Sequence, residues 1–223
     1  MTSARPVVTA PAVPLRGDDI DTDRVIPARF AKAVGFDALG GQVFADDRAA
    51  EQAAGRVHPF DDPRYGRARI LLVNRNFGCG SSREHAVAGL VRWGAGIAAV
   101  VGESFSAIFA DNCLANGVPT VTAPPDVIAA AQAAAEAAPD GTFTVDLEGR
   151  RLVFPSGATA PVALPDDART RLLAGTWDSL ALLRGNADRI HRTAASLPYL
   201  RWSRTTITPS STTTAVAPTP DRL

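Results

Sequence analysis

The 223-residue chain is short of cysteine, short of lysine and without net charge, and each shortage closes off a class of function. Its two cysteines, Cys79 and Cys113, are too few for a disulfide framework, a structural zinc site or a self-contained iron–sulfur site. A reducing cytoplasm is the compartment that such usage suits. Lys32 is the only lysine, so no P-loop lysine is present and only one Schiff-base candidate remains. Lys+Arg 23 against Asp+Glu 23 gives no global field to draw in nucleic acid or an anionic membrane. No run of about twenty apolar residues occurs, and Pro6, Pro11 and Pro14 interrupt the opening stretch, so neither a membrane span nor a signal-peptide core is expected.

What remains is the composition of a globular protein, 46% hydrophobic and 21% charged. Residues 1–14 read as an extended, proline-punctuated lead-in, residues 15–203 as one domain, and residues 204–223 as a disordered Thr/Ser/Pro-rich tail. Within the domain, Arg69–Val73, Gly96–Val101 and Val118–Val121 are apolar runs of strand length. Helical spacing over 85–93 and 104–116 separates them. That order predicts a parallel βαβαβ core, whose ligands gather beyond the carboxyl ends of the strands. An alanine-rich helix over 129–138 follows, then a β-hairpin from Thr142–Leu147 and Arg151–Phe154, then helices over 166–183 and 188–195.

The densest chemistry lies after the first apolar run, in Asn76-Phe77-Gly78-Cys79-Gly80-Ser81-Ser82-Arg83-Glu84-His85. Glycines let the backbone approach a ligand, free N–H groups at a helix start attract an anion, and the Arg83 guanidinium can grip a carboxylate with two parallel bonds. Ser81 followed three residues later by Glu84 also fits a capping box, which would make the pair structural. Cys79 with His85 and Ser81 with His85 are further pairings whose spacing alone sets no catalytic geometry. In both, packing is the commoner role of the cysteine and the histidine. Upstream, Asp19-Ile20-Asp21-Thr22-Asp23 begins like a calcium loop, but Arg24 stands at the glycine position and Phe30 at the glutamate position. It reads as a solvated turn, or as carboxylates such as Asp23 that orient a basic residue of the site.

GDDIDTDRVIPARF and NFGCGSSREHA, followed by GESFSAIFADNCLANGVPTV, resemble the small subunits of 3-isopropylmalate dehydratase, leucine-biosynthetic relatives of aconitase. The likeness is strong over residues 15–122 and weak onward to about 200. It implies an aconitase-like swivelling domain of α/β class: the parallel βαβαβ core plus an antiparallel hairpin and C-terminal helices. It implies a hydro-lyase active only as a heterodimer or larger assembly with a large subunit. That partner would hold a [4Fe-4S] cluster through three cysteines, with no cofactor or metal on this chain. The substrate would be a small dicarboxylate, 2-isopropylmalate, converted through 2-isopropylmaleate to 3-isopropylmalate.

Carried over from the family motif, Ser81 is the base that takes the carbon-bound proton and Arg83 clamps a substrate carboxylate. Asp23 aligns with the aspartate of a Thr-Thr-Asp-His motif whose histidine is replaced here by Arg24. Gly80 and Ser82 would supply N–H groups to the substrate or alkoxide, and Ile26 or Phe30 an apolar wall for an isopropyl group. Arg29 and Lys32 keep open a third carboxylate, as in a homoaconitase-like substrate. A non-catalytic anion-binding module is the remaining alternative.

Overall fold

The computed structural model describes residues 4–30 and 35–200. The chain forms two compact units divided between Leu182 and Leu183. The first is a seven-stranded sheet in the order β4-β3-β2-β1-β5-β6-β7. Its strands are β1 (Val7–Pro14), β2 (Ile70–Val73), β3 (Ala99–Gly102), β4 (Thr120–Thr122), β5 (Thr142–Asp146), β6 (Arg151–Val153) and β7 (Thr159–Pro161). Strands β1 to β4 pair parallel, and β5 to β7 continue from β1 antiparallel, with Val8 opposite Val145 and Ala12 opposite Ile70. The expected parallel core and hairpin are both present.

The expected lead-in is not. From Val7 onward it is β1, the middle strand of the sheet. Proline argues against a central strand because it cannot donate to the ladder. Here Pro11 sits where the β5 ladder ends at Thr142, its carbonyl still accepts from the Arg69 N–H at 3.0 Å, and Pro14 closes the strand. The prolines therefore fall where no donor is needed.

Successive residues of the parallel strands go to opposite faces, and both faces are buried. Leu71, Val73 and Val100 join Phe44, Phe77, Phe109 and the inner side of α3 (Glu84–Leu90) in one core. Ile70, Leu72, Ala99 and Val101 join Phe143, Val145 and the Ile128 and Ala131 side of α5 (Pro125–Ala137) in the other. Among the described residues, this unit also holds the α-helices α1 (Thr22–Val25), α2 (Ala45–Ala53), α4 (Ala107–Ala115) and α6 (Asp166–Ala174).

The predicted helix over 166–183 is broken, because Gly175 takes the left-handed conformation that ends α6. A separate helix, α7 (Ser179–Gly185), follows and runs across the unit boundary. In the second unit, α8 (Ala187–Ser196) has no buried residue, and a short turn over Pro198–Leu200 follows. Residues 204–223, expected as a tail, lie outside the described residues.

Removing residues 1–14 would strip the strand that joins the parallel and antiparallel halves and expose two sheet edges. The truncated chain is expected to show no cooperative thermal transition by circular dichroism; a preserved melt would mean that the two halves cohere without β1.

Candidate active site

Three loops leave the carboxyl ends of β1, β2 and β3, and backbone hydrogen bonds close them onto one another. Asp19 N–H donates to Arg75 O at 2.9 Å, Gly78 N–H to Ile20 O at 2.8 Å, Thr22 N–H to Cys79 O at 2.9 Å and Phe77 N–H to Ser104 O at 3.1 Å. Side chains reinforce the closure. Asn74 donates to Glu103 at 2.8 Å and accepts from the Gly17 N–H at 3.1 Å and from the buried Gln132 of α5 at 3.1 Å. Below them Phe77 meets Phe109 edge to face with centroids 5.2 Å apart, fixing the floor of the second loop.

Gly78 and Gly80 shape that loop, with φ of +76° and +86°. A Cβ on Gly78 would come within 2.2 Å of Phe109 Cγ, whereas one on Gly80 would meet nothing nearer than Asp21 Cβ at 3.3 Å. The first glycine is needed for both its conformation and its lack of volume, the second for its conformation.

Beyond the buried Gly78 and the half-buried Cys79, the residues Gly80, Ser81 and Ser82 are exposed. Among the described residues, the N–H groups of Ser81 and Ser82 have no hydrogen-bond partner. The capping box does not form. Helix α3 begins at Glu84 with Arg83 as its N-cap, in extended conformation and without a side-chain cap bond. The competing partner is tertiary: Thr22 Oγ1 donates to Ser81 O at 2.8 Å and lies 3.5 Å from Ser81 Oγ, so Ser81 belongs to the loop cluster.

Arg83 and Asp23 form an ion pair across the two loops, the arginine side chain 26% exposed and the carboxylate 49%. Arg83 Nη1, the nitrogen that faces Asp23, is buried, and among the described residues Nε and Nη2 make no hydrogen bond, so the guanidinium keeps donors beyond that pair. Asp23 thus faces a basic residue, one of the two roles its place in the sequence left open. Asp21 is occupied otherwise, accepting from the Arg24 N–H at 2.7 Å as the cap of α1.

Ile26 is no part of a substrate wall. It is fully buried in the core under α3, where a Cβ on Gly89 would come within 2.7 Å of its Cδ1. The turn of α1 carries the chain inward, so Val25 and Ile26 anchor the loop from below. Phe30 is half-buried against the same core, with the Arg29 guanidinium 4.5 Å from its ring centroid. Arg29 in turn holds Asp46 through two hydrogen bonds of 2.8 and 2.6 Å. Lys32 lies outside the described residues.

Neither cysteine is set up as a nucleophile. Cys79 Sγ lies 3.4 Å from Asp19 O, and burial, then the charges of Asp21 and Asp19, push its thiol pKa up. Cys113 is fully buried in the core, which pushes its thiol up strongly. His85 packs edge to face on Phe36 at 5.2 Å. The two cysteines sit in separate surroundings, and the described residues contain no group of three His, Cys, Asp or Glu side chains able to share a metal ion.

A cavity of about 450 Å³ lies beside this surface, lined by Arg16, Arg24, Asp47, His58, Tyr65 and Glu136 among others, but not by Ser81, Asp23 or Arg83. Its charges are paired, Arg16 with Glu136 at 2.8 Å and Arg24 with Asp47 at 2.9 Å. His58 is 6% exposed, its Nδ1 accepts from the Phe60 N–H at 3.2 Å, and burial holds its imidazole below the ordinary value. Asp47 and Asp61 oppose that shift more weakly.

Residues 9–126 match the aconitase C-terminal domain family. Within it, the chain belongs to the family of 3-isopropylmalate dehydratase small subunits. It is 52% identical over 191 residues to the small subunit of Synechocystis sp., covering 86% of this chain and 92% of that one. It is 41% identical over 195 residues to a small subunit of Thermus thermophilus, covering 87% and 96%. Among solved structures, the 3-isopropylmalate dehydratase of Methanocaldococcus jannaschii shares the fold, with a TM-score of 0.59 and 23% identity over 81% of this chain and 99% of that one.

Gly78→Ala is expected to cost about 2–5 kcal/mol, combining left-handed strain with overpacking. Gly80→Ala should cost about 1–2 kcal/mol for strain alone. Thermal melts of the two variants test this ranking, and equal losses would contradict the close approach of Phe109. His58 gives a pH signature. Its folded form favours neutrality, so below pH about 6.5 the unfolded chain binds the extra proton and stability drops as pH falls through the ordinary histidine range. His58→Asn, which keeps an acceptor for Phe60 N–H, should lose that acid-side dependence in denaturant melts between about pH 7 and 5; an unchanged profile would place the titration elsewhere.

Proposed function

We propose that this chain supplies the proton-handling and carboxylate-binding half of a 3-isopropylmalate dehydratase active site, working in the cytoplasm with a cluster-bearing large subunit. The reaction is the hydro-lyase isomerisation of 2-isopropylmalate through 2-isopropylmaleate. The observation that carries this reading is the exposed Ser81 beside the ion-paired Arg83, on three loops that are rigid beneath and open above. An open catalytic surface cannot exclude water by itself, and general-base chemistry by a hydroxyl needs a site closed by a second surface. Two separated cysteines support placing the cluster on the partner.

On this chain, Ser81 Oγ takes the carbon-bound proton. A serine hydroxyl is a poor base, so Ser81 acts as its alkoxide, which has already given its own proton to solvent and returns to the hydroxyl on taking the carbon-bound one; that alkoxide needs positive potential from the free Ser81 and Ser82 N–H groups and from Arg83. Arg83, held by Asp23, offers its remaining N–H groups to a substrate carboxylate. For the side chain of the substrate, Arg29 is already neutralised by Asp46 and stacked on Phe30, which leaves less free charge for a third carboxylate and favours the isopropyl group.

The test is isomerisation of 2-isopropylmalate by the anaerobically prepared chain, alone and mixed with a cluster-bearing large subunit, followed by the absorbance of 2-isopropylmaleate. Activity is expected in the mixture alone; a complex that turned over homoaconitate and not isopropylmalate would overturn the substrate assignment. In the active complex, Ser81→Ala should lower kcat by about 10²–10⁴-fold. Arg83→Lys should act chiefly on KM, since lysine lacks the paired donors. Near-normal turnover by Ser81→Ala would remove the serine from proton transfer.

A further inference from the structure

Thr22 is a buried polar side chain at the site to which neither composition nor motif spacing assigned a task. It is 2% exposed, stands at the first position of α1, and holds the second loop at two points. Its backbone N–H donates to Cys79 O at 2.9 Å and its hydroxyl donates to Ser81 O at 2.8 Å. The helix that carries it is itself fixed, since Val25 and Ile26 behind it are fully buried. Thr22 therefore transmits the rigidity of the core to a residue that is otherwise exposed.

A threonine hydroxyl has one proton, and the 2.8 Å bond to the carbonyl uses it. Along the 3.5 Å contact to Ser81 Oγ, Thr22 Oγ1 can then only accept. At that distance the contact fixes no proton on Ser81, so what Thr22 holds is the serine main chain. From these bonds we infer that Thr22 is the positioning residue of Ser81: by pinning the serine main chain it holds Oγ, the atom that acts once it has lost its own proton, at the place where the carbon-bound proton of the substrate is taken. The inference rests on the reading of Ser81 as the group that takes that proton.

A positioning role predicts a loss in kcat rather than in substrate binding, because Arg83 is held by a different bond. In the complex with the large subunit, Thr22→Val keeps the side-chain shape and removes the hydroxyl. It is expected to lower kcat by about ten- to a hundredfold with KM within about twofold, as small misplacements at a reacting centre do. Thr22→Ser restores the hydroxyl and should recover kcat to within about threefold of the parent. Should Thr22→Val not fold, Thr22→Ala deletes the same hydroxyl and should give the same split.

The decisive arm is coupling. In a Ser81→Ala background the Thr22 substitution should cause no further loss, because there is no Oγ left to position. An equal loss in both backgrounds, a loss expressed in KM instead of kcat, or failure of Thr22→Ser to recover activity would each overturn the assignment. The two readings fail separately. Normal turnover by Ser81→Ala would defeat the serine base itself, whereas an inactive Ser81→Ala beside a fully active Thr22→Val would defeat only the role of Thr22.

Discussion

The site depends on main-chain hydrogen bonding between loops that the sheet brings together but does not itself order. Strands β1, β2 and β3 end side by side, and a loop leaving a strand end has unpaired N–H and C=O groups that must find partners. Here they find each other, from Asp19 and Arg75 through Ile20 and Gly78 to Phe77 and Ser104. Glycine at 78 permits this closure because the chain must turn left-handed directly above the Phe109 ring. Once the loops are closed, Thr22 faces Ser81 and Asp23 faces Arg83 with no adjustment of the strands beneath.

Much of this architecture could be read from the sequence, and the parts that could not share one cause. Buried parallel strands announce themselves as apolar runs, so β2, β3 and β4 and the two helices between them were legible, as was the hairpin of β5 and β6. β1 was not, because three prolines and alternating small residues look like a linker until a ladder shows that Pro11 and Pro14 fall where no donor is missed. Likewise Ser81 and Glu84 have capping-box spacing, but a tertiary partner, Thr22, claims the serine first. Local rules failed where a residue distant in sequence by 59 positions supplied the stronger bond.

At the candidate site the same division holds. Residue types near the glycines pointed to an anion site, whereas the pairing of Arg83 with Asp23 had no signal that named the two as partners. Ile26 was misplaced because an apolar residue beside a polar motif can face either substrate or core, and only the direction of α1 decides. Thr22 and Gln132 carried no signal of their own. A buried hydroxyl or amide is recognisable by what it bonds, which a linear sequence does not display.

The exposure of Ser81 and the rigidity beneath it also constrain how such a site can work. A preorganised donor set costs nothing to arrange at the moment of reaction, but in open water its field is screened and its hydroxyl is solvated. Mobility is therefore most useful between whole surfaces and least useful within the loop. The zippered loops, the Thr22 bond and the Asp23–Arg83 pair keep the geometry on this chain fixed. The remaining freedom, bringing a second surface over Ser81 and expelling water, can then be a movement of the entire domain, which leaves every distance around the serine unchanged.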